Sequence, residues 1–116
     1  MSQPLADLAV EFWKLLQNYD RFISVVPESA QARLAAQSRF GAARLSAILE
    51  AENMRMVTYE GNVFEPNLPV TAINDDGFAD TDIVLIEKTI EPTVMRGMDI
   101  LKIGKVFLVK NTEKQG

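Results

Sequence analysis

The chain has 116 residues, 47% of them apolar, and a formal charge of -4. It contains neither cysteine nor histidine, which excludes disulfides, thiolate or histidine-activated nucleophiles, and the usual ligand sets of zinc. The acidic balance argues against nucleic acid as the main partner, because phosphate neutralisation dominates that kind of affinity.

The stretch from Met1 to Asp7 has no cationic start and no continuous apolar core, so it does not read as a signal peptide. No apolar run approaches the roughly 18–20 residues of a membrane span. A cytoplasmic protein without membrane association is expected. From there Leu5, Leu8, Phe12, Leu15, Tyr19, Phe22 and Val26 recur at alternating spacings of three and four, which is the seam of a heptad helix. Leu16 and Ile23 widen the stripe, as in a bundle, and Lys14, Asn18 and Arg21 occupy the other side. Pro27 disfavours helical geometry at Val26 and suits the first turn of a new helix. That second helix is predicted over residues 27–54. It is rich in small residues, Ala30 to Ala47, with Leu34, Leu45, Ile48 and Leu49 as its larger apolar contacts. Gly41 in its interior costs roughly 1 kcal/mol against alanine, so a packing reason for it is expected. Two short helices joined by a tight break make a hairpin, and two hairpins from two chains would close a four-helix bundle. The expected dimer interface is Leu5, Leu8, Phe12, Leu15, Tyr19, Phe22 and Leu45; the alternative is that this seam packs on the chain's own sheet.

After Met54 the pattern turns to strands. Short ones are predicted around 56–59 and 70–73, separated by Pro66 and Pro69, which central strands do not tolerate. Asn74-Asp75-Asp76-Gly77 is a turn signal. Residues 83–90 read as a strand buried on both faces, with Pro92 at its end and Arg96-Gly97 turning into a last segment over 98–110. Lys102 and Lys105 interrupt that segment at opposite parity. A β-bulge at Gly104 would resolve the conflict, turning Leu101, Ile103, Val106 and Leu108 inward and Lys102, Lys105 and Phe107 onto one outer face. The expected fold is therefore α+β: an N-terminal helical hairpin, residues 1–56, dimerising as a four-helix bundle, then a small β domain, residues 57–116.

The order of these elements, together with Asn62-Val63-Phe64-Glu65-Pro66-Asn67-Leu68 and Leu101-Lys102-Ile103-Gly104-Lys105-Val106-Phe107-Leu108-Val109, resembles the C-terminal two-thirds of GrpE, the nucleotide exchange factor of DnaK-type chaperones. Phe64, Glu65, Pro66 and Asn67 match the segment that opens that family's β domain, and Lys102 through Val109 is similar to the one that closes it. The family's long N-terminal stalk helix has no counterpart, and of its turn before the last hairpin only Lys88 is retained, within Glu87-Lys88-Thr89-Ile90. The resemblance implies a homodimeric co-chaperone, not an enzyme, whose β domain binds the chaperone's nucleotide-binding domain and promotes ADP release, with no cofactor. The partner-binding residues it implies are Phe64, Glu65, Pro66, Asn67, Lys88, Lys102, Lys105 and Phe107. The alternative is a dimeric adaptor or scaffold that binds another protein through the β domain.

Each of these residues also has a plainer reading. Phe64 serves equally as the core plug of a rigid turn, and Lys102, Lys105 and Phe107 as a solvated face. Asp75, Asp76, Asp80 and Asp82 cluster around Gly77, but their spacing does not match an EF-hand loop, and a solvated acidic turn is expected. Glu60, Glu65 and Glu87 could supply paired carboxylates, yet none stands beside a plausible nucleophile.

Overall fold

The computed structural model describes residues 2–79 and 81–111. Helix α1 runs from Ser2 to Ile23 and α2 from Glu28 to Ala51. Pro27 caps α2 with extended backbone (φ -56°, ψ 142°), leaving its first turn to Glu28, whose charge suits the helix dipole. At the other end Asn53 takes a left-handed φ of 60° while Glu52 and Asn53 N–H groups bond back to Leu49 O and Glu50 O. This is a C-terminal cap in which Asn stands in for Gly. It stops the helix before Met54, which begins the first strand rather than ending α2.

Six strands follow among the described residues: β1 (Met54–Val57), β2 (Val70–Ala72), β3 (Val84–Glu91), β4 (Thr93–Arg96), β5 (Asp99–Lys102) and β6 (Gly104–Lys110). They form two three-stranded sheets, ordered β1-β4-β5 and β2-β6-β3. All pairings are antiparallel except β2 with β6. The β4–β5 hairpin closes through a two-residue turn with Gly97 at φ 58°, a conformation that calls for glycine. Residues 75–77 form a single 3-10 turn after β2. Asn74 ends that strand by side-chain mimicry of a ladder: its Nδ2 donates to Leu108 O at 3.0 Å and its Oδ1 accepts from Leu108 N at 2.9 Å.

Two cores hold the molecule together. In the first, Ala6, Ala9 and Val10 of α1 and Leu45 and Leu49 of α2 pack on Met54 and Val94 of the first sheet, with Leu5, Phe12, Met56 and Leu101 at the margin. In the second, Ile86, Val106 and Leu108 are covered by Tyr59, Phe64, Leu68, Val70, Ala72, Phe78 and Val84. The helical hairpin thus meets its own sheet through one end only. Arg96 fastens α2 to β4, its Nε donating to Glu52 O at 3.1 Å.

The segment around Gly104 differs from the expected bulged strand. β5 ends at Lys102, Ile103 is half-exposed, and Gly104 opens β6 in the other sheet. The register shifts fall at Glu87 and Ile90 of β3 and at Leu101 of β5, not at Gly104. The chain crosses between sheets twice, at Glu91-Pro92-Thr93 and at Ile103-Gly104, and the crossings touch. A Cβ on Gly104 would lie 2.7 Å from Thr93 Oγ1, 2.8 Å from Glu91 O and 2.9 Å from Thr93 N. Glycine is there for close backbone approach. Pro69 O ties the junction together, accepting from Thr93 Oγ1 at 2.8 Å and from Gly104 N at 3.2 Å. Gly41 has no such reason within this chain: a Cβ there would meet Leu16 Cδ2 at 3.5 Å and Phe12 Cζ at 3.8 Å, which is ordinary contact.

Candidate functional site

Three regions carry the sequence-predicted residues. The first is the helical hairpin. Leu8, Leu15 and Phe22 of the heptad seam are 65%, 63% and 63% exposed, so the chain does not bury its own seam. Leu5 and Phe12 are half-buried against the first core, and Leu45 lies inside it. Tyr19 is half-buried and donates its hydroxyl to Gln37 Oε1 at 3.1 Å. Seam and second helix together line an open apolar groove between α1 and α2, floored by Ala9, Phe12 and Gly41 and walled by Leu8, Leu15, Phe40 and Ile48. Ile48 was expected among the larger apolar contacts of α2, whereas Phe40 was not singled out from the sequence. The signal was there in the i, i+8 placement of Phe40 and Ile48 on one side of α2. The core stripe Ala6, Ala9, Val10 was also missed, because small residues were outweighed by the larger ones of the seam.

The second region is the open face of the β2-β6-β3 sheet. Cross-strand partners share a face, and alternation along β6 turns Val106 and Leu108 inward and Lys105, Phe107 and Val109 outward. Phe107 is paired with Lys88, Val109 with Leu85, and Leu85 in turn with Val63 of the strap that lies along β3. Ile73 follows β2 on the same face, its N–H bonded to Val106 O. Ile73, Val63, Val109 and Phe107 remain 55%, 46%, 39% and 38% exposed. The face therefore brings together Lys88, Lys105 and Phe107. It does not include Lys102, which belongs to the other sheet and whose ammonium pairs with Asp7 of α1 at 3.3 Å. The expected Lys102–Lys105–Phe107 face fails because the chain changes sheets between the two lysines. Ile103, expected inward, is exposed for the same reason.

Phe64 plugs the second core, and its N–H bonds to Val84 O at 2.8 Å. Glu65, Pro66 and Asn67 form the exposed turn beyond it, closed by Leu68 N–H to Glu65 O at 3.1 Å. Proline at the second position is what such a turn favours. The four residues thus divide between a structural anchor and a solvent-facing tip.

The third region is ionic. The Glu91 side chain, 13% exposed, receives Lys14 Nζ at 2.8 Å and Lys105 Nζ at 3.9 Å. The Lys14 hydrogen bond, helped by the charges of Lys14, Lys105 and Lys102 against the opposing effect of burial, holds the Glu91 carboxyl below its ordinary value. Lys14 is raised in return, by its hydrogen bonds to Glu91 and then Glu11. Glu91 stands at the first crossing between sheets, so this cluster joins α1, the crossing and β6.

The acidic turn makes no cation site among the described residues; Asp80 lies outside them. Asp82 is engaged by Ala79 N–H at 2.9 Å and by Lys110 at 3.4 Å, and the Ala79 bond is the main reason its carboxyl is lowered. No helix among the described residues is long and apolar enough to cross a membrane. No family model, no curated protein and no solved structure matches the chain.

Proposed function

We propose that this chain is a cytoplasmic homodimeric co-chaperone of the GrpE kind. It promotes ADP release from a DnaK-type chaperone by binding the nucleotide-binding domain, and it supplies no catalytic group of its own. The observation that carries the dimer is the uncovered groove between α1 and α2. The chain exposes 7707 Å², against about 6,300 Å² for a compact monomer of its mass. Its radius of gyration is 16.5 Å, against roughly 13.4 Å for a compact domain of its length. A second hairpin laid into the groove would cover Leu8, Leu15, Phe40 and Ile48.

The resemblance at residues 62–68 and 101–109 supports the chaperone as partner. Exchange in this reading is a population shift: a factor that binds the open nucleotide-binding domain tenfold better than the closed one lowers nucleotide affinity by at most the same factor, about 1.4 kcal/mol. Positioning is all that is asked of the protein. The Glu91 cluster and the Lys102–Asp7 pair, both tied to α1, would hold the β layer at a set angle to the bundle.

The test is release of labelled ADP from the chaperone with and without this protein. Acceleration at micromolar concentration supports the proposal. Unchanged release overturns it and leaves the adaptor reading, which the commitment of Lys102 to Asp7 favours, since one implied contact residue is already engaged within the chain.

A further inference from the structure

The open face of the β2-β6-β3 sheet combines two features that do not normally persist on an unpartnered surface. The first is apolar area: Val63, Leu85 and Val109 form one cross-strand row, and Ile73 and Phe107 lie in the next. Single exposed apolar side chains are unremarkable, but contiguous ones rimmed by charge mark a binding surface. The second is uncompensated charge. Lys14, Lys102, Lys105 and Lys110 each have a carboxylate within 4.0 Å, and Lys88, beside Phe107, is the remaining lysine among the described residues and has none. Lys105, at the next position on this face, is held only at 3.9 Å by Glu91, whose nearer partner is Lys14. Glu91 is thus already committed, while Lys88 has no carboxylate within 4.0 Å and Lys105 is loosely held.

We propose that this face docks an apolar protein surface flanked by an aspartate or glutamate, with Phe107 as the aromatic anchor and Lys88 as the charge that fixes register. The choice of a protein with an acidic flank follows from charge complementarity. A nucleic acid would meet an apolar row with no stacking platform beyond one ring, and a chain of net charge -4 repels phosphate. The rim lysine acts on association rate and salt dependence, and the buried anchor on residence time. In the exchange-factor reading this face is the one that meets the chaperone, and the identity of the partner rests on that reading; the chemistry of the face does not.

The experiment uses the full chain and three variants, Lys88→Glu, Phe107→Ser and Ile73→Ser, each first checked for an unchanged far-UV spectrum. Ile73 is the most exposed of the row and gives a second apolar variant should Phe107→Ser unfold. Binding to the chaperone's nucleotide-binding domain should weaken by about tenfold or more for each, and Lys88→Glu should flatten the salt dependence. If the wild type binds and the variants bind equally well, the face is not the dock, although the exchange reading stands. If the wild type does not bind, the chaperone reading has failed, and panning a random peptide library on the wild type with counter-selection on Lys88→Glu decides the face. Recovery of sequences that pair apolar residues with Asp or Glu supports it; recovery of none that depend on Lys88 overturns it.

Discussion

Replacing Gly104 with alanine puts a methyl group where two crossings of the chain already touch. The new carbon would lie 2.7 Å from Thr93 Oγ1, 2.8 Å from Glu91 O and 2.9 Å from Thr93 N. Two of the three are backbone atoms and cannot rotate away. Thr93 is fully buried and its hydroxyl is held by Pro69 O, so relief means moving a crossing. Overpacking of this kind costs about 1–3 kcal/mol, and a broken Thr93–Pro69 hydrogen bond adds roughly 1 kcal/mol. Against this, alanine gains about 0.4–1 kcal/mol by restricting the unfolded chain. The expected net loss is about 2–3 kcal/mol, which for a domain of this size lowers Tm by roughly 8–12 °C. Urea unfolding followed by circular dichroism, alongside a thermal scan, measures it. Thr93→Ala in the Gly104→Ala background should restore less than half the loss, because two of the three close contacts persist. A Gly104→Ala protein that unfolds at the wild-type midpoint would refute the crossing geometry and revive a strand with room at that position.

Gly41→Ala should go the other way in the monomer, neutral to about 1 kcal/mol more stable, since its Cβ meets only ordinary contacts and the helix gains propensity; a loss in urea titration counts against the packing described. Leu15→Glu or Phe40→Asp should leave the far-UV spectrum intact and convert a dimer to a monomer by light scattering, and a wild type that is monomeric at all concentrations removes the bundle. Asn74→Ala strips both polar partners from the Leu108 backbone and should cost about 1–3 kcal/mol. Glu91→Gln removes a carboxylate whose folded pKa lies below its ordinary 4.5. A depressed carboxylate stabilises the fold above its unfolded pKa, and that contribution disappears as the pH falls through the folded value. The variant should therefore be less stable by roughly 1–2 kcal/mol at neutral pH, between the exposed and buried ion-pair cases, and should show a shallower acid limb below pH 4.5. Parallel acid limbs would mean the Lys14–Glu91 pair is absent in solution.

Helix positions were legible because their signals are local. The heptad spacing from Leu5 to Phe22 places α1, Pro27 starts α2, and Asn74–Gly77 and Gly97 mark turns that exist. The sheets were not legible, because nothing in Leu101-Lys102-Ile103-Gly104-Lys105 says that the chain changes partners at Ile103. That information resides in Glu91 and Thr93, a dozen residues away, against which Gly104 must fit. Bulges at Glu87 and Ile90 likewise depend on the strand opposite. The outer face was expected to be Lys102, Lys105 and Phe107 and is instead Lys88, Lys105 and Phe107: alternation along regular β6 turns Lys105 and Phe107 outward, and the bulge at Glu87 of β3, not one at Gly104, sets Lys88 beside Phe107. The uncovered seam was readable as an unsatisfied stripe and Ile48 as an apolar contact of α2, whereas Phe40, which completes the groove with it, is hidden among small residues.

The strand order β2-β6-β3 has a consequence for how the chain is made. β2 and β3 do not pair with each other, and the strand that joins them, β6, follows both in the chain. During synthesis β3 can bond the strap at residues 61–64, but β2 and β3 have no common partner until residues 104–110 leave the ribosome, and the parallel pairing must then close a loop of more than thirty residues between Ala72 and Val106. Long-range closure of this kind is slow. Until that moment β2 and the β6-facing edge of β3 stand bare, a state prone to association with other nascent chains. The second sheet is therefore completed in one step by β6, and a chain ending before residue 104 should be recovered as aggregate rather than as a slightly weakened protein.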